Sequence, residues 1–302
     1  MQDQLETIAN ETRHLAADGK VAQYIPALAS IDPTQFALVV RTVSGDEYAT
    51  GDADTPFSIQ SISKLFALAL AMEWVGDGLW EKVGREPSGM RFNSLIQLET
   101  EGGRPRNPFI NAGAIATTDA LVTARPDYAA ELLLQMRLLA DNNVIGIDDE
   151  VHLSEMATGD LNRAMAYVLK AHGNLENDPI MVTNTYFGAC SIMASARDLV
   201  RAAMFLVAPQ GGEAVCAKGR NAQRIRAIMR TCGMYDQSGE FAYRVGLPGK
   251  SGVGGGILMV QPGAFAACAW SPPLDRFGNS LAGQAALAQL ASLVCAPGSV
   301  SV

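Results

Sequence analysis

The sequence predicts an α+β fold in which strands from both ends of the chain join one antiparallel sheet, with a helical block inserted between them. β-Rich segments occur over 36–50 and again over 241–270, whereas 61–231 has mostly helical periodicity. At 302 residues, 48% of them hydrophobic, the chain is long enough to bury a large core. We expect one domain, with the sheet drawn from about 1–60 and 232–302 and the helical part from about 61–231.

Each element follows from a local pattern. The predicted elements are, in order, an opening helix with apolar residues at helical spacing from Leu5 to Ala16, strands over 36–43 and 47–50 joined by the turn Ser44-Gly45-Asp46, a helix over 199–207 behind the capping box Ser195-Ala196-Arg197-Asp198, strands near 241–245, 257–260 and 264–270, and a final helix over 281–294.

Charge and cysteine usage disfavour several classes of protein. A net charge of −8 argues against binding to nucleic acid or to anionic membranes. The five cysteines include no CxxC pair and the three histidines are scattered, which argues against a zinc site or a disulfide framework. Residues 1–6 lack a basic region followed by an apolar stretch, so we expect a cytoplasmic protein.

Two uncharged stretches are long enough to consider as membrane spans. The stretch 251–274 is too rich in glycine and proline for a spanning helix. The stretch 277–302 holds an alanine-rich helix of about fifteen residues, fewer than the roughly 20 that a span requires. Neither is predicted to cross a membrane.

The sharpest chemical motif is Ser61-Ile62-Ser63-Lys64 at the start of an apolar helical run. Residues three apart share a helix face, so the Ser61 hydroxyl and the Lys64 amine can lie within reach. The Ser61 N–H, at a helix start, is free to bind an oxyanion. A lysine base must be neutral, and lowering its pKa from about 10.4 to about 7.5 disfavours the charged form by roughly 4 kcal/mol. The alternative is a serine cap followed by a surface lysine.

A second motif is Lys250-Ser251-Gly252, followed by Val253 and three glycines. A strand with so little side-chain bulk can approach a ligand closely and offer a second oxyanion donor. Residues 244–251 also resemble a phosphate loop with arginine in place of its first glycine. Such a loop must open a helix, and the four glycines that follow Ser251 disfavour one, so nucleotide binding is not predicted.

A third set is polar and lies in the helical block. Glu155 and Asn162 are seven residues apart, which on one helix means two turns, the same face and about 10.5 Å along the axis. Their side chains could then point at the two ends of a small zwitterion. The alternative is a solvated helix face. Asn111 stands at a helix entry, where an ordinary cap is the default. Three tyrosines lie near glycine or proline, where packing is the commoner role: Tyr24, Tyr186 and Tyr235.

Taken together, these motifs resemble those of the serine-dependent glutaminases. The matching segments are, in the family's order, Gln23-Tyr24-Ile25-Pro26, 57–64, 107–114, Ser154-Glu155, Asn162-Arg163, Tyr186-Phe187, Gly233-Met234-Tyr235-Asp236 and 246–256. They cover nearly the whole chain from Tyr24 to about Trp270. The resemblance implies the fold of serine β-lactamases and penicillin-binding transpeptidases, an antiparallel sheet with flanking helices and an inserted helical part.

The resemblance also implies roles for individual residues. Ser61 is expected to be the nucleophile, Lys64 its base and Tyr235 an aid to proton transfer. The oxyanion would lie between the N–H groups of Ser61 and Val253. The α-amino and α-carboxylate groups of glutamine would be held by Tyr24, Asn111, Glu155, Asn162 and Tyr186.

The family implies further properties of the whole protein. The substrate would be L-glutamine, no metal or organic cofactor would be needed, and the chain would form a homodimer or homotetramer. One position departs from the resemblance, since Ala189 stands where the family usually has glutamine. We expect this change to alter packing behind Tyr186 and to affect affinity more than chemistry.

Two alternatives stay open on the sequence. A penicillin-recognising serine hydrolase or transpeptidase shares the Ser-x-x-Lys motif and the Lys-Ser-Gly strand, but this chain has no Ser-Asp-Asn and no export signal is apparent. A non-catalytic amino-acid-binding protein of the same fold would also retain Ser61 and Lys64. Nitrocefin hydrolysis and ammonia release distinguish these alternatives from a glutaminase.

Overall fold

The main sheet has five strands, all antiparallel, in the order β2-β1-β8-β7-β6. We describe it from a computed structural model, which defines residues 1–208, 214 and 220–295. The strands are β1 (Ala37–Thr42), β2 (Glu47–Gly51), β6 (Gly249–Ser251), β7 (Gly256–Gln261) and β8 (Phe265–Trp270). The first two pair with the last three through β1 and β8, with Ala37 opposite Trp270. The predicted joining of the two chain ends in one sheet is confirmed.

The remaining elements are mostly helical. The helices of the described residues are α1 (Gln2–Thr12), α2 (Pro26–Ala29), α3 (Ser63–Trp74), α4 (Leu79–Lys82), α5 (Leu95–Thr100), α6 (Asn111–Ala124), α7 (Tyr128–Ala140), α8 (Asp149–Thr158), α9 (Asp160–Ala171), α10 (Pro179–Cys190), α11 (Ala196–Ala202), α12 (Met204–Val207), α13 (Arg220–Cys232), α14 (Ser238–Val245) and α15 (Leu281–Cys295). None of these helices is both long enough and apolar enough to cross a bilayer.

Both faces of the five-stranded sheet are covered at its centre, which explains why β7 and β8 are almost entirely apolar. In β1, Val39 belongs to the core on one face, while Leu38 and Val40 belong to the core on the other. α1 and α15 pack on the second face and α11 packs on the first. Strands buried on both faces lose the alternation of polar and apolar residues that marks a half-exposed sheet.

The helical block contains a small second sheet that the sequence did not predict. It consists of β3 (Phe57–Ser58), β4 (Gly146–Ile147) and β5 (Ile192–Ala194), in the order β3-β5-β4. Strands of two or three residues are too short to produce a recognisable period. This sheet fixes the chain immediately before Ser61, because Ser58 pairs with Met193.

The predicted strand near 241–245 is wrong, since these residues form the end of α14. Phe241 and Val245 are buried and four residues apart, so they share one helix face. Gly246 ends the helix in the left-handed conformation, with φ of +74°. Residues four apart share a face in a strand as well as in a helix, so buried residues at 241 and 245 fit both elements. Tertiary packing selects the helix.

The capping box at Ser195 is confirmed. Its hydroxyl accepts from the Asp198 N–H, and the Asp198 carboxylate accepts from the Ser195 N–H. The helix that follows is divided into α11 and α12 at Ala203, where the sequence predicted one continuous element.

Candidate active site

A cavity of about 270 Å³ brings together seven of the nine predicted site residues. Its lining includes Tyr24, Ser61, Asn111, Glu155, Asn162, Tyr186 and Val253. The other two lie beside it: Lys64 donates to Asn111 at 2.7 Å, and the Tyr235 hydroxyl interacts with Ser61. Residues separated by more than 200 positions in the chain therefore converge on one site.

Ser61 lies in a 3₁₀ turn, Gln60–Ile62, directly before α3. Gln60 has a φ of +48°, which is uncommon for a residue other than glycine. Its side chain is buried and donates to the Ser58 hydroxyl at 3.0 Å, and Ser58 in turn donates to the Cys190 carbonyl at 2.9 Å. These bonds anchor the turn that presents Ser61 to the cavity.

The turn after β6 passes close to the Ser61 turn because it contains glycine. A Cβ on Gly252 would lie 2.5 Å from the Ile59 carbonyl oxygen, and one on Gly254 would lie 2.1 Å from that of Ser58. Neither approach is possible for a residue with a side chain. The contact places Val253, between these two glycines, at the cavity opposite Ser61.

Two backbone donors at this contact are unused. Among the described residues, neither the Ser61 N–H nor the Val253 N–H donates a hydrogen bond. Both residues line the cavity. Two unpaired N–H groups at one cavity are suited to stabilise a negative oxygen.

Lys64 is buried, with an exposed fraction of 2%, so the interpretation as a surface lysine is wrong. Its amine donates to Asn111 Oδ1 at 2.7 Å and to the Phe109 carbonyl at 3.1 Å. Burial removes water from the ammonium and lowers the pKa of Lys64 to about 8, although Cys190 and Glu155 act in the opposite direction. In this structure the Ser61 hydroxyl interacts with Tyr235, and no hydrogen bond joins it to Lys64.

Tyr235 is buried beside Ser61 and has a φ of +51°. Its hydroxyl donates to the Ser251 carbonyl at 3.4 Å, and its ring packs on Phe92 with the centroids 4.7 Å apart. Burial raises the pKa of Tyr235, so its hydroxyl stays protonated at neutral pH. Lys250 is fully buried with its amine 5.0 Å from the Tyr235 ring centroid, and burial together with Lys64 holds the pKa of Lys250 well below its usual value.

Glu155 and Asn162 both face the cavity, but the prediction that one helix carries them is wrong. Glu155 is on α8 and Asn162 is on α9, and the helical conformation is interrupted between them at Gly159. A Cβ at Gly159 would lie 2.3 Å from the Phe187 ring. Burial raises the pKa of Glu155 to about 7, partly offset by hydrogen bonding from Gln60 and by the charge of Lys64.

Asn111 connects Lys64 to the rest of the cavity. It begins α6, yet its side chain makes no capping bond. Its Oδ1 accepts from Lys64 and, at 3.4 Å, from the Tyr186 hydroxyl, while its Nδ2 donates to Asn162 at 2.9 Å. The default interpretation as a helix cap is therefore wrong. No side chain caps α6, and Asn107 instead holds the turn before the helix, where its Oδ1 accepts from the N–H groups of Phe109 and Ile110.

Several residues at the cavity were not predicted to act there. They are Gln60, Phe92, Asn93 and Cys190 in its lining and Lys250 beside Tyr235. Gln60 and Lys250 lie within quoted motifs, 57–64 and Lys250-Ser251-Gly252, and could have been suspected from that position. Phe92, Asn93 and Cys190 reach the cavity only through tertiary contacts, which local spacing does not encode.

The described residues hold no group of three or more histidine, cysteine or acidic side chains arranged to bind a metal ion. Cys190, Cys232 and Cys268 are free thiols. Cys216 lies outside the described residues, as does the side chain of Cys295.

Comparison with known proteins identifies close relatives. A family model described as "Glutaminase" matches residues 19–295. The protein named "Glutaminase" from Rhizobium johnstonii is 51% identical over 298 residues, covering 97% of this chain and 96% of its own length. The "Thermolabile glutaminase" of Rhizobium etli has the same identity and coverage.

Solved structures are similar in fold as well. One named "Probable glutaminase ybaS" has a TM-score of 0.90 and 38% identity, covering 96% of this chain and 95% of the other. A probable glutaminase of Bacillus subtilis has a TM-score of 0.87 and 31% identity, with 96% and 95% covered.

Proposed function

The chain belongs to the glutaminase family and hydrolyses L-glutamine to L-glutamate and ammonia, and we propose that it does so through a γ-glutamyl ester on Ser61. The observation that carries this mechanism is the cavity lined by both Ser61 and Val253, whose N–H groups are unused, with the buried Lys64 one helical turn from Ser61. A related structure titled "Mglu in its glutamate form", 35% identical with a TM-score of 0.88, supports glutamate as a product that such a fold can hold.

In the first step the Ser61 oxygen attacks the side-chain amide carbon of glutamine. Lys64 takes the hydroxyl proton, which requires the neutral amine that burial favours. The carbonyl oxygen becomes an oxyanion between the Ser61 and Val253 N–H groups, each worth about 3 kcal/mol of transition-state stabilisation. A catalytic hydrogen bond such as that between Ser61 and Lys64 often forms only in the Michaelis complex.

In the second half the C–N bond breaks as the amide nitrogen receives a proton and leaves as ammonia. We assign the transfer of that proton from Lys64 to Tyr235, whose hydroxyl is protonated and interacts with Ser61. A water molecule then attacks the ester carbon, giving its proton to Lys64. The ester bond breaks, Ser61 regains its hydrogen and L-glutamate is released.

Selectivity for glutamine over asparagine needs more than apolar contact, because one methylene is worth only about 1–3 kcal/mol. We assign the α-amino group to the buried carboxylate of Glu155 and the α-carboxylate to the polar groups of Asn111, Asn162, Tyr24 and Tyr186. These groups lie on elements separate from Ser61, so they fix the distance between the α-carbon and the nucleophile.

Other expectations of the resemblance stay predictions. A homodimer or homotetramer, a cytoplasmic location, a requirement for no cofactor and the division into a sheet part and a helical part belong to this proposal. Analytical ultracentrifugation of the purified chain tests the first of these directly, since a sedimentation mass of one chain would contradict it.

The mechanism is tested by ammonia release from glutamine and from asparagine. Ser61→Ala should lower kcat on glutamine by at least about 10⁴-fold, because the remaining groups bind substrate but supply no nucleophile. Ser292→Ala, which removes an exposed hydroxyl on α15, is the matched control and should leave activity unchanged. Activity in Ser61→Ala close to that of the control would refute the assignment.

A further inference from the structure

A second, much smaller cavity lies behind Lys64, where four helices meet. It is lined by Ser63, Lys64 and Ala67 of α3, Ala114, Thr117 and Thr118 of α6, Tyr128 of α7, Tyr186 and Ala189 of α10, and Pro108. All of these residues are buried. The space offers about 10 Å³ to the centre of a water molecule, which is about the minimum that one water needs.

One polar group in its wall is unpaired. The Tyr128 hydroxyl is buried, with 1% of the residue exposed, and has no hydrogen-bond partner of good geometry among the described residues. The Thr118 side chain lies near enough to Tyr128 for hydrogen bonding between them to lower the pKa of the tyrosine, but the Tyr128 hydroxyl makes no bond that meets the ordinary limits of distance and angle. Leaving a buried hydroxyl unpaired costs about 1–3 kcal/mol, so native structures rarely do so.

We propose that this cavity is a hydration site holding one water molecule bound to the Tyr128 hydroxyl, and that the small side chain of Ala189 keeps it open. A buried water requires two to four polar partners. Besides Tyr128, the hydroxyls of Ser63 and Thr118 are the candidates in the lining. The three alanines supply room and no hydrogen bonds.

The position of the water gives it a structural role next to the catalytic groups. Lys64 and Tyr186 form part of the wall, and both also bond to Asn111 at the substrate cavity. Ala189 precedes Cys190, which lines the substrate cavity from the same helix. The water therefore fills the space behind Lys64, next to the small side chain of Ala189.

The test is a double-mutant cycle measured by urea unfolding of the full chain. In the native background, Tyr128→Phe should lower the folding equilibrium constant about fivefold, because the water loses one partner. Ala189→Val adds roughly the volume of one water and should expel it. In the Ala189→Val background the effect of Tyr128→Phe on the folding equilibrium constant should change sign. The substitution should raise the constant there, because it removes an unpaired hydroxyl.

Ala189→Thr is the matched control for Ala189→Val, since threonine has the same shape and carries a hydroxyl that can pair with Tyr128. We expect the threonine variant to fold at least about threefold more favourably than the valine variant. Valine folding equally well or better would contradict a polar site.

Two outcomes of the cycle overturn the proposal. If Tyr128→Phe stabilises the chain in both backgrounds, the cavity is dry and the hydroxyl is truly unpaired. If Tyr128→Phe destabilises the native chain and the Ala189→Val variant equally, the Tyr128 hydroxyl bonds to a protein group instead of to water. If Ala189→Val does not fold, a crystal structure of the native chain at a resolution that shows ordered water provides a second test. It should contain one water within about 3.2 Å of the Tyr128 oxygen, and an empty cavity there would contradict the proposal.

Discussion

Lys64 and Glu155 have pKa values displaced toward neutrality from opposite sides, to about 8 and about 7. Burial is the main cause for both, because it penalises whichever form carries charge. The proposed chemistry needs Lys64 neutral and Glu155 ionised. Both conditions are met as pH rises, so kcat/KM should increase through the range from about 7 to about 8.

Asn111→Asp tests the base at the residue scale. A carboxylate at the atom that now accepts from Lys64 favours the ammonium, so the pKa of Lys64 should rise. The low-pH limb of the kcat/KM profile for glutamine should move upward by at least about one pH unit, with a loss of roughly ten- to a hundredfold at pH 7. A limb at the native position would show that Lys64 does not control the reaction.

Glu155→Gln tests the amino-group clamp. The native KM for glutamine should rise as pH falls through about 7, because protonated Glu155 loses its attraction for the substrate ammonium. The variant should bind glutamine at least about tenfold more weakly at pH 8, and its KM should lack this pH dependence. A substrate dissociation constant equal to the native one would contradict the role.

The same substitution should stabilise the empty protein. The folded state raises the pKa of Glu155 from 4.5 to about 7 and thus holds its proton more tightly than the unfolded chain does. The free energy of unfolding therefore falls by about 3 kcal/mol as pH rises from about 4.5 to about 7. Urea unfolding at pH 5 and pH 8 should show this loss in the native chain and not in Glu155→Gln. Equal pH dependence in the two would contradict it.

At the scale of elements, the site depends on the contact between the turn after β6 and the turn before α3. Gly254→Ala should drive them apart, because a Cβ would lie 2.1 Å from the Ser58 carbonyl oxygen. Moving the Val253 donor out of position should lower kcat at least about a hundredfold. Ammonia release measures this effect.

Gly239→Ala is the control for that substitution. Gly239 lies in α14 without a positive φ, and a Cβ added there would meet no atom within 4 Å. Alanine there should raise the free energy of unfolding by about 0.5–1 kcal/mol and leave activity unchanged. If both variants retain native activity, the close approach of the two turns is irrelevant to catalysis.

At the scale of the whole molecule, the sequence predicted the joined sheet because 36–43 near one chain end and 257–270 near the other are apolar and β-rich. It failed for α14, where buried Phe241 and Val245 fit two elements, and for the boundary between α8 and α9 at Gly159, where the Phe187 ring of another helix leaves no room for a side chain. Local patterns record the preferences of one segment. These two outcomes depend on segments that are distant in the chain.

The candidate site shows the same division. Ser61, Lys64 and the glycine-rich turn were visible as motifs, and order along the chain linked them to the glutaminases. The bond of Lys64 to Asn111 and the packing of Phe92 on Tyr235 join residues 47 and 143 positions apart. No spacing rule predicts such pairs, since they depend on how α3, α6 and the loop before α5 are assembled.

The central claim is that Ser61 carries the γ-glutamyl group during turnover. Mixing enzyme and glutamine, quenching in acid within the first turnovers and mapping the peptides by mass spectrometry tests it most directly. We predict a γ-glutamyl ester on the peptide containing Ser61, which hydroxylamine removes. Rapid ammonia release with this peptide unmodified, or with the ester on another residue, would contradict the account.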